Sequence, residues 1–286
     1  IASCLVGSEM CIRDSYGSDG LAGAILYITK DPSDLASEND VYQSITAGYD
    51  SDNEHSKVSY LAANVGEKME GLIQITARDV SETELHDDAA KKPNPFSGEQ
   101  SSIFLKGKYL INDNLGLTLT YDTQESEGDW NLNSTLGTSG YPQMVSTTSS
   151  IGDDDISRDR VSLSLDFSAD SGLFDNGSFS IYSQDTDQRQ VTTIDKSIVG
   201  NFVNGARGPQ FVPNIPPTPI REFKDYIFDQ SIDGFAVQFY KSIESESGAV
   251  HNIVYGAEQE SIDVSRPRYR TETNLMTNAV NSNIGG

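Results

Sequence analysis

Histidine, which serves both as a metal ligand and as an acid–base catalyst, is scarce in this sequence. Its three histidines are His55, His86 and His251. A neutral imidazole is a common metal ligand, but these positions fall in separate predicted segments and form no ligand-spacing motif. The sequence contains no Gly-x-Ser-x-Gly, His-Glu-x-x-His or phosphate-binding glycine loop. We therefore expect no enzymatic activity.

Two acidic runs offer oxygen ligands of the kind that Ca²⁺ prefers. They are "DSDNE" at 50–54 and "DDD" at 153–155. Neither run has the glycine and terminal glutamate spacing of an EF-hand loop. Calcium binding therefore stays open at both runs, and solvated surface charge is the interpretation we favour.

The overall charge argues against a nucleic-acid partner. The 286 residues include 43 acidic and 20 basic side chains, which gives a net charge of −23. Phosphate binding requires clusters of Lys and Arg, and the linear sequence presents none. We therefore expect no nucleic acid among the partners.

The first fifteen residues, "IASCLVGSEMCIRDS", differ in character from the rest of the chain. They contain both cysteines, Cys4 and Cys11, and they lack the basic start and long apolar centre of a signal peptide. The stretch resembles translated read-through of a sequencing adaptor, so we treat residues 1–15 as a non-native segment. No cysteine follows residue 15, and we therefore expect neither a disulfide framework nor a thiolate metal site.

Most of the remaining chain alternates apolar and polar residues. The clearest cases are 115–122 and 161–168, where every second residue is apolar. A period of two predicts a β-strand with one apolar face. Weaker copies lie at 41–49, 57–65, 69–80, 101–111, 178–190, 221–243 and 249–262. The pattern predicts an all-β protein of about nine antiparallel strands without a helix.

The predicted connections alternate in length after the first pair of strands. Short turns are predicted at 66–68, 112–114, 171–177 and 244–248, and long polar segments at 81–99, 126–156 and 191–220. An outer-membrane barrel has short periplasmic turns, long external loops and spanning strands of about 9 to 11 residues, whereas globular strands have about 5 or 6. The alternation therefore favours a transmembrane β-barrel over a soluble sandwich.

Aromatic residues lie near several predicted strand ends, namely Tyr49, Tyr109, Tyr121 and Tyr255. In a membrane barrel, tyrosines at such places form a girdle at the bilayer interface. Ordinary aromatic packing in a soluble core is the alternative. The two interpretations differ in the direction of the apolar faces, which point outward around a polar lumen in a barrel and inward against a second sheet in a sandwich.

A glycine-punctuated motif, "YGSDGLAGAILYITKDPSDL" at 16–35, precedes the first predicted strand. The pattern is carried by Tyr16, Gly17, Ser18, Gly20, Gly23, Ile25, Ile28, Thr29, Lys30, Asp31 and Pro32. This motif resembles the end of the plug domain of TonB-dependent outer-membrane receptors. The ending "TKDPSDL" is similar to the branch that contains receptors for haem, haemoglobin, transferrin and lactoferrin, as are "SRDRVSLSLDF" and "HNIVYGAEQESIDVSRPRYR". The family also has an Arg-Gly-Pro-like turn before its Tyr-Gly-Ser, where this chain has "SEMCIRD".

The resemblance implies three segments. Residues 1–15 are non-native, 16–36 end a plug domain, and 37–286 form the first part of a 22-stranded barrel that continues beyond this chain. The implied function is energised uptake of haem, free or from a haem protein, across the outer membrane of a Gram-negative bacterium. The implied partners are the TonB complex, outer-membrane lipid and lipopolysaccharide. Haem would be cargo, with no permanently bound cofactor; a ferric-siderophore receptor and a secreted β-rich adhesion module are the alternatives.

Two histidines become candidates for haem contact within that resemblance. His55 and His86 fall in the first and second predicted outer loops, from which an imidazole could reach a haem iron. Neither matches a histidine position of the family. His251 lies close to a predicted periplasmic turn, and we expect it to be structural.

Overall fold

The computed structural model describes residues 29–83, 93–169, 171–206, 208–245 and 248–285. Nearly all of them belong to one twelve-stranded antiparallel sheet. The strands are β1 (Asp40–Asp50), β2 (His55–Val65), β3 (Met69–Ser81), β4 (Phe96–Asn112), β5 (Leu115–Asn131), β6 (Gly137–Ser139), β7 (Gln143–Ser168), β8 (Asn176–Gly205), β9 (Gly208–Glu244), β10 (Val250–Ser265), β11 (Arg268–Asn274) and β12 (Val280–Gly285). The predicted all-β class is therefore confirmed.

Helical structure in the described ranges is limited to two 3-10 turns. They span Pro32–Asp34, just before β1, and Asn133–Thr135, between β5 and β6. Nowhere in these residues is there a helix with the length and apolarity that crossing a membrane requires.

The strands follow one another through the sheet as an up-and-down meander. The path runs β1-β2-β3-β4-β5-β7-β8-β9-β11-β12, and β6 pairs with β7. β10 and β11 pair with the same edge of β9 and are separated by Arg266 and Pro267. Because proline has no N–H to donate, the ladder is interrupted there. All nine predicted strands are present, whereas the sequence pattern does not predict β6, β11 and β12.

Two of the predicted long loops are wrong. Residues 126–156 and 191–220 lie mostly in strands, because β7, β8 and β9 extend to 26, 30 and 37 residues. Apolar residues occur in these extensions at irregular spacings, for example Val191, Ile194 and Ile198 in β8, so no period of two marks them as strands. The prolines of "GPQFVPNIPPTP" are tolerated since this part of β9 pairs with β8 along one edge only, among the residues that the structure describes.

The two ends of the sheet have different connections. The short links between β2 and β3, β4 and β5, β7 and β8, and β9 and β10 all lie at one end, which we call the short-turn end. The long β8–β9 hairpin and the β3–β4 and β5–β7 connections lie at the opposite, distal end. The predicted short turns are thus found where the alternation placed them.

The register assigns every strand residue to one of two faces. Thr29 and Asp31 lie against one face, where they contact Lys106 and Lys108 of β4; we call this the inner face and its opposite the outer face. Directly paired residues share a face, and successive residues alternate between faces. The contact with β4 therefore identifies the inner and the outer face of every strand in the sheet.

An apolar belt covers the outer face near the short-turn end. Its members are Ile45, Val58, Ile73, Ile75, Ile103, Leu105, Leu117, Leu119, Val161, Leu163, Leu165, Phe179, Ile181, Phe235 and Val237. Many are well exposed, for example Ile45 at 75% and Leu119 at 51%. Strands contact their neighbours in the sheet, and no second sheet covers the belt in the described part of the chain. The apolar side chains thus point away from the protein.

Candidate functional site

The Thr-Lys-Asp-Pro segment is fixed to the inner face before β1 begins. Lys106 donates to Thr29 Oγ1 at 3.2 Å and forms an ion pair with Asp31, whose second oxygen accepts from Lys108 Nζ at 2.8 Å. Pro32 is fully buried. The backbone N–H of Asp34 donates to the Asp31 carbonyl oxygen at 3.0 Å, which closes the 3-10 turn, and the N–H of Asp31 donates to Asp34 Oδ2 at 2.8 Å, which caps it.

Three of the predicted motif residues, Thr29, Lys30 and Asp31, therefore contact β4, and Pro32 begins the 3-10 turn that packs on β2 and β3. Lys30 contributes its carbonyl oxygen, which lies 3.5 Å from Lys106 Nζ. The other motif residues, Tyr16, Gly17, Ser18, Gly20, Gly23, Ile25 and Ile28, lie outside the described residues. The assignment of 16–36 to a plug domain stays a prediction.

Charge is segregated between the two faces. Outward-facing strand carboxylates form an acidic band distal to the apolar belt: Asp79, Glu99, Glu125, Glu127, Asp129, Asp153, Asp155, Asp159, Asp185, Asp187, Asp195, Asp225, Asp229, Asp233 and Asp263. Most strand cations instead face inward: Lys57, Arg78, Lys106, Lys108, Arg158, Arg160, Lys196, Lys224, Arg268 and Arg270. An acidic chain thus keeps an inner face of mixed charge, on which an anion can be bound.

An ionic cluster around the buried Glu222 joins three strands on the inner face, beyond the belt. Lys196 of β8 donates to Glu222 Oε2 of β9 at 2.6 Å and to Glu272 Oε1 of β11 at 2.8 Å. Arg270 Nε lies 2.5 Å from Glu222 Oε1, and Lys224 Nζ lies 3.5 Å from the same oxygen. Glu222 is only 3% exposed. This network holds β8, β9 and β11 in register, close to the position at which β11 replaces β10 as the neighbour of β9.

The pKa of Glu222 reflects two opposing effects. Burial alone raises the pKa of this carboxyl, but the hydrogen bond from Lys196 and the charges of Lys196, Lys224 and Arg270 outweigh burial and hold the pKa below its ordinary value. The hydrogen bond from Lys196 likewise lowers the pKa of Glu272. Both carboxyls are therefore ionised at neutral pH and neutralise most of the surrounding cations.

Two further arginines on this face are stacked on aromatic rings. The Arg266 guanidinium lies 5.1 Å from the centre of the Phe228 ring, and that of Arg268 lies 5.5 Å from the centre of the Tyr226 ring. Neither arginine forms an ion pair within the described ranges. The expectation that the linear sequence presents no basic cluster is wrong here, because Arg-Pro-Arg-Tyr-Arg places three arginines within residues 266–270. Their position on one face follows from the strand register.

The candidate histidines are not brought together. His55 begins β2, faces inward opposite Asp50, and has a buried Nε2 without a hydrogen-bond partner in the described residues. His86 lies outside the described residues. His251 lies on the outer face near the short-turn end, opposite Ile243. Haem contact by His55 or His86 stays a prediction.

The acidic runs do not form a coordination site in the described part of the chain. Asp153 and Asp155 face outward while Asp154 faces inward, because "DDD" lies within β7 and not in the predicted loop. No group of three or more His, Cys, Asp or Glu residues there is arranged to hold a metal ion.

Aromatic rings border the belt at the short-turn end. The Phe167 and Phe239 rings are 5.9 Å apart, Phe174 lies 5.1 Å from Phe239, and Tyr255 stacks on Phe239 at 5.2 Å. The predicted girdle residues Tyr49, Tyr109, Tyr121 and Tyr255 all lie on the outer face and are 36% to 71% exposed. Tyr109 and Tyr255 lie toward the short-turn end and Tyr49 lies at the distal end of β1, whereas the prediction that Tyr121 lies near a strand end is wrong, because it lies within β5. An apolar belt edged by aromatic rings is the pattern typical of lipid-facing strands.

Comparison with known proteins gives one partial similarity. No family model matches the chain. Over 119 residues the chain is 29% identical to hemoglobin-binding protein A of Haemophilus influenzae, and the match covers 38% of this chain and 12% of that protein. Part of the sheet is therefore similar in sequence to a small part of a haemoglobin-binding protein.

Proposed function

We propose that this chain belongs to a TonB-dependent receptor of the bacterial outer membrane that takes up haem, either free or from a haem protein. The observation that carries the proposal is the exposed apolar belt, edged by aromatic rings, on a sheet whose opposite face is polar. The partial similarity to a haemoglobin-binding protein supports the choice of ligand.

The bilayer interpretation follows from where the backbone polar groups are satisfied. Lipid offers no hydrogen-bond partners, so only helices and closed barrels can cross a membrane. In this sheet, the strands pair along their lengths and the belt supplies the lipid-facing surface. Under the proposal, further strands complete the barrel, and lipid and lipopolysaccharide cover the outer face.

The inner face would then line the transport path. In the proposed receptor, the Thr-Lys-Asp-Pro segment ends the plug and fastens it to the barrel wall through the ion pairs of Asp31 with Lys106 and Lys108. A pull by the TonB complex on the upstream plug would open a path for haem while this end stays attached. Haem is cargo in this scheme, and the protein itself carries out no bond-breaking chemistry.

Growth on haem tests the proposal directly. We expect the full-length protein, expressed in a haem-auxotrophic Gram-negative strain without its own haem receptor, to restore growth on haem or haemoglobin. Growth must disappear when TonB is deleted and must not appear with the empty vector. Growth on ferric siderophores alone would move the assignment to the siderophore branch. A protein found only in the secreted fraction would favour the adhesion module.

A further inference from the structure

We infer that Arg266 and Arg268, with the rings of Phe228 and Tyr226 beneath them, form a binding site for a flat aromatic ligand that carries two carboxylates. We call these four residues the basic–aromatic patch. The inference rests on the proposed function and deepens it, because it names a surface that recognises the anionic edge of haem.

The backbone places both arginines on the same face. Pro267 restricts the preceding residue to extended conformations, and its carbonyl accepts a hydrogen bond from the N–H of Ile227 at 3.0 Å. The chain therefore stays extended across the break between β10 and β11. Positions two apart on an extended chain are about 7 Å apart and point the same way, so the patch presents two guanidiniums side by side.

The charges of the two arginines are available to a ligand. Arg270, Lys196 and Lys224 are engaged with Glu222 and Glu272. Arg266 and Arg268 are exposed and lie outside that network in the described residues. A guanidinium presents a planar fork that matches a carboxylate, and stacking on a ring fixes its orientation in advance.

The position of the patch fits a ligand on its way into the barrel. β10 runs from Val250 to Ser265, which exceeds the ~9–11 residues that a spanning strand needs. The patch follows β10 and therefore lies beyond the spanning part, on the inner face at the distal end. Anionic lipid would meet the acidic outer face, and the patch faces away from it.

The test compares haem with its dimethyl ester, in which both carboxylates are neutral. The matched variants are Arg266→Gln with Arg268→Gln, and Arg189→Gln with Arg221→Gln on the outer face, which remove the same charge. We expect the inner pair to weaken haem binding to the full-length protein in detergent about 10- to 100-fold and to leave ester binding unchanged. The outer pair should leave both affinities unchanged.

The outcomes separate the patch from the proposed function. Unchanged haem affinity in the inner variant overturns the patch alone, as does an equal loss of haem and ester affinity together with a lower melting temperature. Wild-type protein that binds neither haem nor haemoglobin overturns both. If the inner variant loses free haem but still captures haemoglobin, the patch receives haem after its release. If the inner variant binds neither free haem nor haemoglobin while the wild type binds both, the patch contacts haem that is still bound to its carrier protein.

Discussion

The two halves of the same strands face different surroundings. Near the short-turn end, the outward residues of β7 are Val161, Leu163 and Leu165, whereas distal to them the outward residues are Asp159, Ser157 and Asp155. β9 shows the same change between Phe235 and Asp233. Because backbone pairing continues through the boundary, the fold does not require the change. Under the proposed function, it marks the level at which the outer face passes from lipid to water.

The largest expected effect comes from placing charge in the belt. Leu119 and Leu163 are paired neighbours on the outer face. An arginine on the lipid face costs about 2–4 kcal/mol near the midplane, so Leu119→Arg with Leu163→Arg should prevent assembly. The measurement is the amount of folded protein in outer membranes, read from heat-modifiable migration on gels.

The control variant for the belt substitutes a residue on the same outer face, in the distal half of β7. Ser157→Arg adds the same side chain among carboxylates, and we expect normal assembly. If the belt variant assembles as well as the Ser157→Arg variant, the belt does not face lipid and the comparison between the two halves fails.

The next effect is expected in the distal ionic cluster. Glu222→Gln removes a buried charge that Lys196, Lys224 and Arg270 share. The side chains of Lys196, Lys224 and Arg270 are 15%, 28% and 49% exposed, so water can solvate them once the carboxylate is gone. Losing a hydrogen bond to a charged group costs about 1.5–3 kcal/mol, and the free energy of unfolding in detergent should fall by about that amount. Arg189→Gln breaks the exposed pair with Asp225 on the outer face, where water screens both charges, and should cost much less. Equal losses would mean that the cluster has no special role.

The same cluster predicts a dependence of stability on pH. Glu222 and Glu272 have pKa values below their ordinary 4.5 in the folded protein, so their ionised forms stabilise folding fully above that pH. Their contribution is lost as the pH falls below 4.5 through the lowered values. The difference in unfolding free energy between wild type and Glu222→Gln should therefore be constant from neutral pH to about pH 5 and shrink below it. A difference that stays constant down to pH 3 would contradict the assigned shifts.

The sequence predicts the fold well in the half of the strands that carries the belt and poorly in the distal half. In the half that carries the belt, one face is apolar and the other polar, so a period of two is visible at 115–122 and 161–168. In the distal extensions of β8 and β9 apolar and polar residues are mixed on both faces, so no regular alternation distinguishes a strand from a loop. The sequence does not predict the ionic cluster for a different reason. Lys196, Glu222 and Glu272 are distant in sequence, and only the strand register brings them into contact.

The smallest effect concerns how the belt is packed at its aromatic edge. Gly177 lies on the outer face between Phe167 and Phe239 in the register, and a Cβ added there would lie 2.6 Å from the Phe167 ring. Gly177→Ala must therefore displace that ring, at a cost of about 1–3 kcal/mol. Gly71 also faces outward, on β3, but a Cβ there meets nothing within 4 Å.

Gly71→Ala is thus the matched control, and its unfolding free energy should stay within about 0.5 kcal/mol of wild type. Thermal unfolding in detergent measures both variants. If Gly177→Ala is as stable as Gly71→Ala, the Phe167 ring moves freely. The aromatic edge would then be a loose collection of lipid-exposed rings, and the packed border inferred between the apolar belt and the short turns would be wrong.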